Sequence, residues 1–280
     1  LALSYLGAFS ASAGTQLALT GGNLALKGAT TLAGVTVSGA SGRNLVLNAA
    51  TSVSGLNIAG SAIVSNYATL TQSGGATTIG DSIAGNRAAL YNSATGVWNI
   101  ADDSGVAVGA NAGSNINNVG AFQKTGGSNT STVYASISSS GSIAANSGTL
   151  AFAGASNGVS GALAGTGTIL FSGGATALNA GATATVANLA ETGANTSLTV
   201  ATNLAYAGAL TQGAGAKLTV NSGYGLTLSG TNSLSGSLGG AGGLALTGGA
   251  TTFASGASVS TSTWSLTGAG TTANVGGALT

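Results

Sequence analysis

Short apolar alternations recur at a nearly constant interval along this chain, about 20 residues, and that period constrains its fold more than any motif does. Leu178, Leu198, Leu218 and Leu238 are evenly spaced at that interval. Leu226/Leu228, Leu244/Leu246 and Trp264/Leu266 are spaced by 18 and 20, and Leu150/Phe152 to Ile169/Phe171 is a step of 19. Within each unit an apolar pair at i and i+2 puts both side chains on one face of a strand. Examples are Leu17-Ala18-Leu19, Leu24-Ala25-Leu26, Leu45-Val46-Leu47 and Leu218-Thr219-Val220. Gly-Gly, Ser-Gly and Asn-Ser-Gly clusters then close each unit as turns. No stretch carries the i, i+3, i+4, i+7 apolar stripe of a helix.

A period of this length, built from several short strands, predicts a β-solenoid. The expected fold is all-β: a single-stranded parallel β-helix with about 20 residues per coil, taken as right-handed. Leu, Val, Ile, Phe and Ala would fill the inside, and Thr, Ser and Asn would face out. Roughly 14 coils at ~4.8 Å rise would make a rod on the order of 65 Å long. Residues 1–280 read as one continuous solenoid, with an irregular or protruding segment around 80–118. That segment holds Asp81, Arg87, Tyr91, Trp98, Asp102 and Asp103.

Composition supports the same picture. Pro is absent, and it would remove a ladder donor from each coil it entered. Gly takes 50 positions and supplies the corners. At 44% hydrophobic residues the chain is too apolar for a disordered one. Gly does not recur every third residue, so a collagen helix is excluded. Low charge without Pro also suits open-ended β-stacking of the silk or amyloid kind. The apolar residues are scattered in runs far shorter than the roughly 20 of a spanning helix, so no transmembrane segment is expected. Aromatic residues, 5% of the chain, form no girdles of a membrane barrel. The first and last residues suggest an internal or processed piece of a longer protein.

Nine charges, five basic and four acidic, leave little room for chemistry. Without Cys or His there is no thiol or imidazole nucleophile, no disulfide and no usual zinc site. A net charge of +1 leaves no footprint for nucleic acid. Carbohydrate cleavage needs two or three converging carboxylates. Asp102 and Asp103 are adjacent, so on a strand they would point to opposite faces. Asp81 precedes Asp102 by close to one period and could stack with them on consecutive coils. The plainer reading is exposed, solubilising acids near Arg87. Lys27, Lys124 and Lys217 stand isolated, so a Ser-Lys arrangement is unsupported. The glycine run Gly239–Gly243 lacks the Asp of a calcium repeat and the Lys of a phosphate loop, and reads as a corner. Asn129 and Asn195 fit the N-glycosylation pattern at chance level in such a sequence. Thr pairs keep no constant register, unlike an ice-binding ladder. No catalytic residue, cofactor or metal is expected.

The stretch from Val119 to Phe152 resembles coils of large bacterial surface and secreted β-helix proteins, namely autotransporter passengers and filamentous-haemagglutinin-like adhesins. The matching residues are Gly120, Phe122, Lys124, Gly126, Gly127, Gly141, Ile143, Ser147, Gly148, Thr149, Leu150 and Phe152. Tyr91 to Trp98 looks like these proteins as well. The resemblance implies an extracellular or bacterial cell-surface role, with no catalytic residues to carry over.

Two readings follow. The first is a structural solenoid that self-associates, end to end or laterally, into a filament, fibre or layer. The second is the stalk or passenger fragment of a secreted adhesin that binds glycans, with ice or polysaccharide binding as a minor variant. The second predicts an exposed aromatic platform around Tyr91 and Trp98, within the contact surface formed by Asp81, Arg87, Tyr91, Trp98, Asp102 and Asp103.

Overall fold

The computed structural model describes residues 2–110 and 113–277. Every element within them is a strand or a turn, with no helix, and all strand pairing is parallel. About 13 turns of roughly 21 residues stack into a β-solenoid. Each turn contributes one strand to each of three faces. The first face begins with Ala2–Tyr5, Asn23–Leu26 and Asn44–Leu47. The second begins with Phe9–Ala11 and Thr30–Ala33, and the third with Gln16–Leu19 and Thr36–Gly39. Among the described residues no helix is long and apolar enough to cross a membrane.

The strands form because four-residue alternations can bury two side chains each. Leu45 and Leu47 point inward, as do Ile116 and Asn118 or Leu226 and Leu228, and the residues between them face out. The register carries this pattern from coil to coil: Leu24 lies over Leu3 and under Leu45. Each buried Leu, Ile, Val or Phe contributes about 1.5–3 kcal/mol of burial.

Coil length varies where the sequence departs from its period. Ile63 pairs with Ala89, and Ala89 with Asn115, so these two coils are longer than the one that pairs Asn44 with Ile63. Their strands stay paired in the ladder, while the extra residues collect at corners such as 80–88. The wider coils leave about 13 turns, fewer than an unbroken repeat of the shorter period predicts. Leu178 likewise pairs with Val200 rather than Leu198, whereas Leu198, Leu218 and Leu238 do share a column. The near-perfect spacing at Leu178 therefore crosses a register offset. Toward the end, Ser237–Leu246 runs straight through the corner between the first and second faces and joins them into one sheet.

Glycine has a steric task at that same corner in earlier coils. A Cβ at Gly120 would collide with Gly96 O, at Gly141 with Gly120 O, and at Gly161 with Gly141 O. The column exists because successive backbones meet there with no space for a side chain. Gly141→Ala is expected to cost about 1–3 kcal/mol of overpacking. Gly21→Ala, whose Cβ would meet nothing within 4 Å, is the near-neutral control. Denaturant midpoints of the two variants check this; equal midpoints would contradict it.

Candidate functional site

The charged residues of segment 80–118 sit on two different corners. Asp81 follows the third-face strand Thr77–Ile79. Its Oδ2 accepts from Gly60 N at 2.7 Å and its Oδ1 from Ile83 N at 2.9 Å, and Asn86 Nδ2 donates to both oxygens. Donation from the Gly60 and Ile83 amides holds the carboxyl below its ordinary range, with help from Asn86. Asp81 thus ties the long 80–88 corner to the coil beneath.

Asp102 and Asp103 follow the second-face strand Val97–Ile100, in a bend rather than a strand. Strand alternation therefore does not set their directions. Asp102 accepts from Gly74 N one coil below and from the Ser104 hydroxyl and amide. Burial pushes its carboxyl up, but those donors and the charge of Lys124 outweigh it, so the net shift is downward. Asp103 Oδ1 accepts from Lys124 Nζ at 2.8 Å and from Asn129 N at 3.0 Å, and its Oδ2 accepts from Asn129 Nδ2 at 2.9 Å. The Lys124 contact chiefly lowers its carboxyl. Asp81 does not stack with this pair, because the third-to-first and second-to-third corners are different edges of the rod. Among the described residues no three His, Cys, Asp or Glu gather to hold a metal.

Lys124, which stands isolated in the sequence, belongs to this corner. It is completely buried, and Nζ also donates to Asp102 O at 2.6 Å and Gly126 O at 2.7 Å. Its three donors are all engaged. This is the one ion pair among the described residues. Arg87 is exposed instead of pairing with the acids, and its backbone amide donates to Ser61 Oγ. The strand alternation Phe122-x-Lys124 carried the signal, since it places Lys124 on the inner side with Phe122.

Trp98 corrects the expected platform. It is fully buried on the inner side of Val97–Ile100, in register with Leu70 and Phe122. Its ring centroid lies 4.7 Å from that of Phe122, and Phe122, Phe152 and Phe171 continue the stack inside the rod. Trp98 fills the wide coil and cannot meet a ligand. Tyr91 does face outward, with its ring 6.2 Å from Tyr67.

A polar column runs beside this aromatic core. Asn66 Nδ2 donates to Asn92 Oδ1 at 2.8 Å, Asn92 Nδ2 to Asn118 Oδ1 at 2.7 Å, and Asn118 Nδ2 to Ser139 Oγ at 2.9 Å. The same amide nitrogens reach Val97 O, Ala121 O and Ser142 O on the second face. The column therefore braces the first-to-second corner across four coils. Its sequence signal is the equal spacing of Asn66, Asn92 and Asn118, each two residues after a buried aliphatic.

No protein-family model, no curated protein and no solved structure matches the chain. The parallel β-solenoid itself is consistent with β-helix proteins of the passenger kind. The hydrogen bonds described above make the acids braces between coils. Asp81, Asp102 and Asp103 all hold their protons more weakly than usual, which suits an acceptor and not a proton donor near neutral pH.

Proposed function

We propose that this chain is an extracellular structural protein, a non-enzymatic β-solenoid subunit that self-assembles into a filament, fibre or layer on a bacterial surface. The observation that carries the reading is the unbroken parallel ladder of about 13 turns, in which each coil is held by the backbone and apolar columns of its neighbours. Leu3 and Tyr5 occupy the same columns as Leu24 and Leu26, yet they are 67% and 45% exposed. At the opposite end, Trp264 and Leu266 continue the columns of Leu244 and Leu246 and are 42% and 51% exposed. The outermost described coils thus carry the same apolar columns that inner coils bury against a neighbour. Columns of this kind are completed by further β-structure, from the same chain or from a second copy docked head to tail, and the latter would extend the ladder without closing it. With so few charges, little repulsion opposes this. The surface location rests on the likeness of the 119–152 stretch to exported β-helix proteins.

Negative-stain microscopy of the purified 280-residue chain tests the reading. Unbranched fibres one coil wide, lengthening with concentration, are the expected result. Leu3→Lys with Leu266→Lys should return short rods. Isolated short rods of the unsubstituted chain at every concentration would overturn the proposal.

A further inference from the structure

This chain offers an oxidant few side chains. It holds no Cys or Met, so the thiol and thioether groups that usually take up oxidising equivalents are missing, and disulfides with them. What remains is six Tyr and two Trp. Trp98 and Tyr206 are buried inside the rod, and the Tyr206 hydroxyl donates among Val186 O, Ala187 O and Ala209 O. Trp264 lies on the last described coils against Phe253. Among the described residues, Tyr67 and Tyr91 are the one pair of tyrosine rings that meet.

The register makes that pair. Tyr91 faces out from the first-face strand Ala89–Asn92, directly over Ser65 of Ile63–Asn66. Tyr67 follows the lower strand at the first-to-second corner, two residues beyond Ser65. The two rings therefore belong to adjacent coils. Their centroids are 6.2 Å apart with planes inclined at 59°, within the range of direct ring contact. Tyr67 is 44% exposed and Tyr91 is half-buried, so both are reached from solvent. The ring torsion of tyrosine is broad, and exposed side chains reorient within nanoseconds. Ring carbons beside the two hydroxyls can thus come together without movement of the backbone.

We propose that Tyr67 and Tyr91 form an oxidative cross-linking site, at which a peroxidase-type oxidant using hydrogen peroxide joins adjacent coils through a dityrosine bond. Each phenol gives up one electron and its hydroxyl proton and becomes a phenoxyl radical. The radicals couple through ring carbons ortho to the oxygens. The hydrogens on those carbons leave as protons while protons return to the oxygens, which restores both phenols. One C–C bond forms and two hydrogens are lost. One hydrogen peroxide takes up the two electrons and two protons and becomes two waters. The bond would join positions 24 apart and close the loop that carries the long 80–88 corner. Closing a loop restricts the unfolded chain, so a chain without cysteine gains a covalent staple at its least regular coil. The site lies on the side of the rod and does not rest on end-to-end assembly.

Treating the dilute 280-residue chain with peroxidase and hydrogen peroxide tests the site. Trypsin, after denaturation, cuts at Arg43, Arg87 and Lys124, which leaves Tyr67 as the one tyrosine of 44–87 and Tyr91 as the one tyrosine of 88–124. Mass spectrometry should find these two peptides joined, at their summed mass less two hydrogens, with dityrosine fluorescence in the same fraction. Tyr67→Phe or Tyr91→Phe, each of which keeps the ring, should abolish the joined species. Tyr134→Phe, an exposed tyrosine outside the pair, should leave it unchanged. An equal mixture of unlabelled and isotope-labelled chains should give only unmixed pairs, since the bond lies within one chain. Absence of the joined peptides after oxidation, their survival in Tyr67→Phe, or a predominance of mixed-isotope pairs would overturn the proposal.

Discussion

Lys124→Ala is expected to destabilise the wide coils by about 2–4 kcal/mol, the cost of removing the donor of a buried carbonyl and opening a cavity in the core. The fully buried Nζ holds Asp102 O, Gly126 O and Asp103 Oδ1 at 2.6, 2.7 and 2.8 Å. Alanine strands Gly126 O and leaves Asp102 O with only the Ser131 hydroxyl at 3.3 Å, at about 1–3 kcal/mol for a buried group left without a partner. It also leaves a cavity beside Phe122. Lys124→Met should fall between the two, because it restores volume but donates to nothing. Asp103→Asn should do far less harm, since that carboxylate is 35% exposed and Asn129 remains beside it. Solenoid coils can open separately, so hydrogen exchange is the sharper measurement. Protection should fall first around 101–105 and 125–129. A Lys124→Ala protein that loses less than about 1 kcal/mol, below the usual cost of one stranded group, would show that this nitrogen does not brace the corner.

That lysine also marks where reading the sequence stops. The alternations Leu24-x-Leu26, Leu226-x-Leu228 and Leu244-x-Leu246 were legible because strand geometry alone decides which side chains point inward. Their spacing then gave the parallel solenoid and a coil length close to the roughly 21 residues observed. Inward positions held by polar residues were not legible by the same rule. Lys124, Asn92 and Glu191 occupy core columns, although composition marks them as surface residues. Their burial depends on carbonyls and amides that only the stacked neighbouring coils supply. Trp98 failed for the converse reason: a large aromatic beside charged residues looks exposed until the register places it over Leu70. The corner acids were placed within the right segment, but their partners lie one coil away, at distances in sequence such as the 28 residues from Gly74 to Asp102.

Stability should increase as pH falls through neutrality, opposite to the usual carboxylate pattern, and Glu191 is the cause. Its side chain is fully buried on the third face, in register with Phe171 and Gln212. Burial pushes its carboxyl up from 4.5 to about 7, only partly offset by Gln212 Nε2, 3.3 Å from Oε2, and by the amides of Leu198 and Lys217. Glu191 Oε1 and Gln212 Oε1 both lack a donor, so a carboxyl proton supplies what this pair is missing. The folded chain therefore holds a proton that the unfolded chain releases at lower pH. Its stabilising effect is complete below about 4.5 and lost as pH rises through about 7. A shift of this size is worth about 3 kcal/mol between those limits. Asp81, Asp102 and Asp103 act in the other direction: their lowered values stabilise above 3.8 and lose that effect in stronger acid. Greatest stability is thus expected between the ordinary aspartate range and neutrality. Glu191→Gln keeps the shape, carries no charge and should flatten the rise, gaining most over the unsubstituted chain at pH 8. Denaturant unfolding at pH 5.5 and pH 8 checks both chains. Equal stability of the unsubstituted protein at the two pH values, or an unaltered slope in Glu191→Gln, would remove Glu191 as the titrating group.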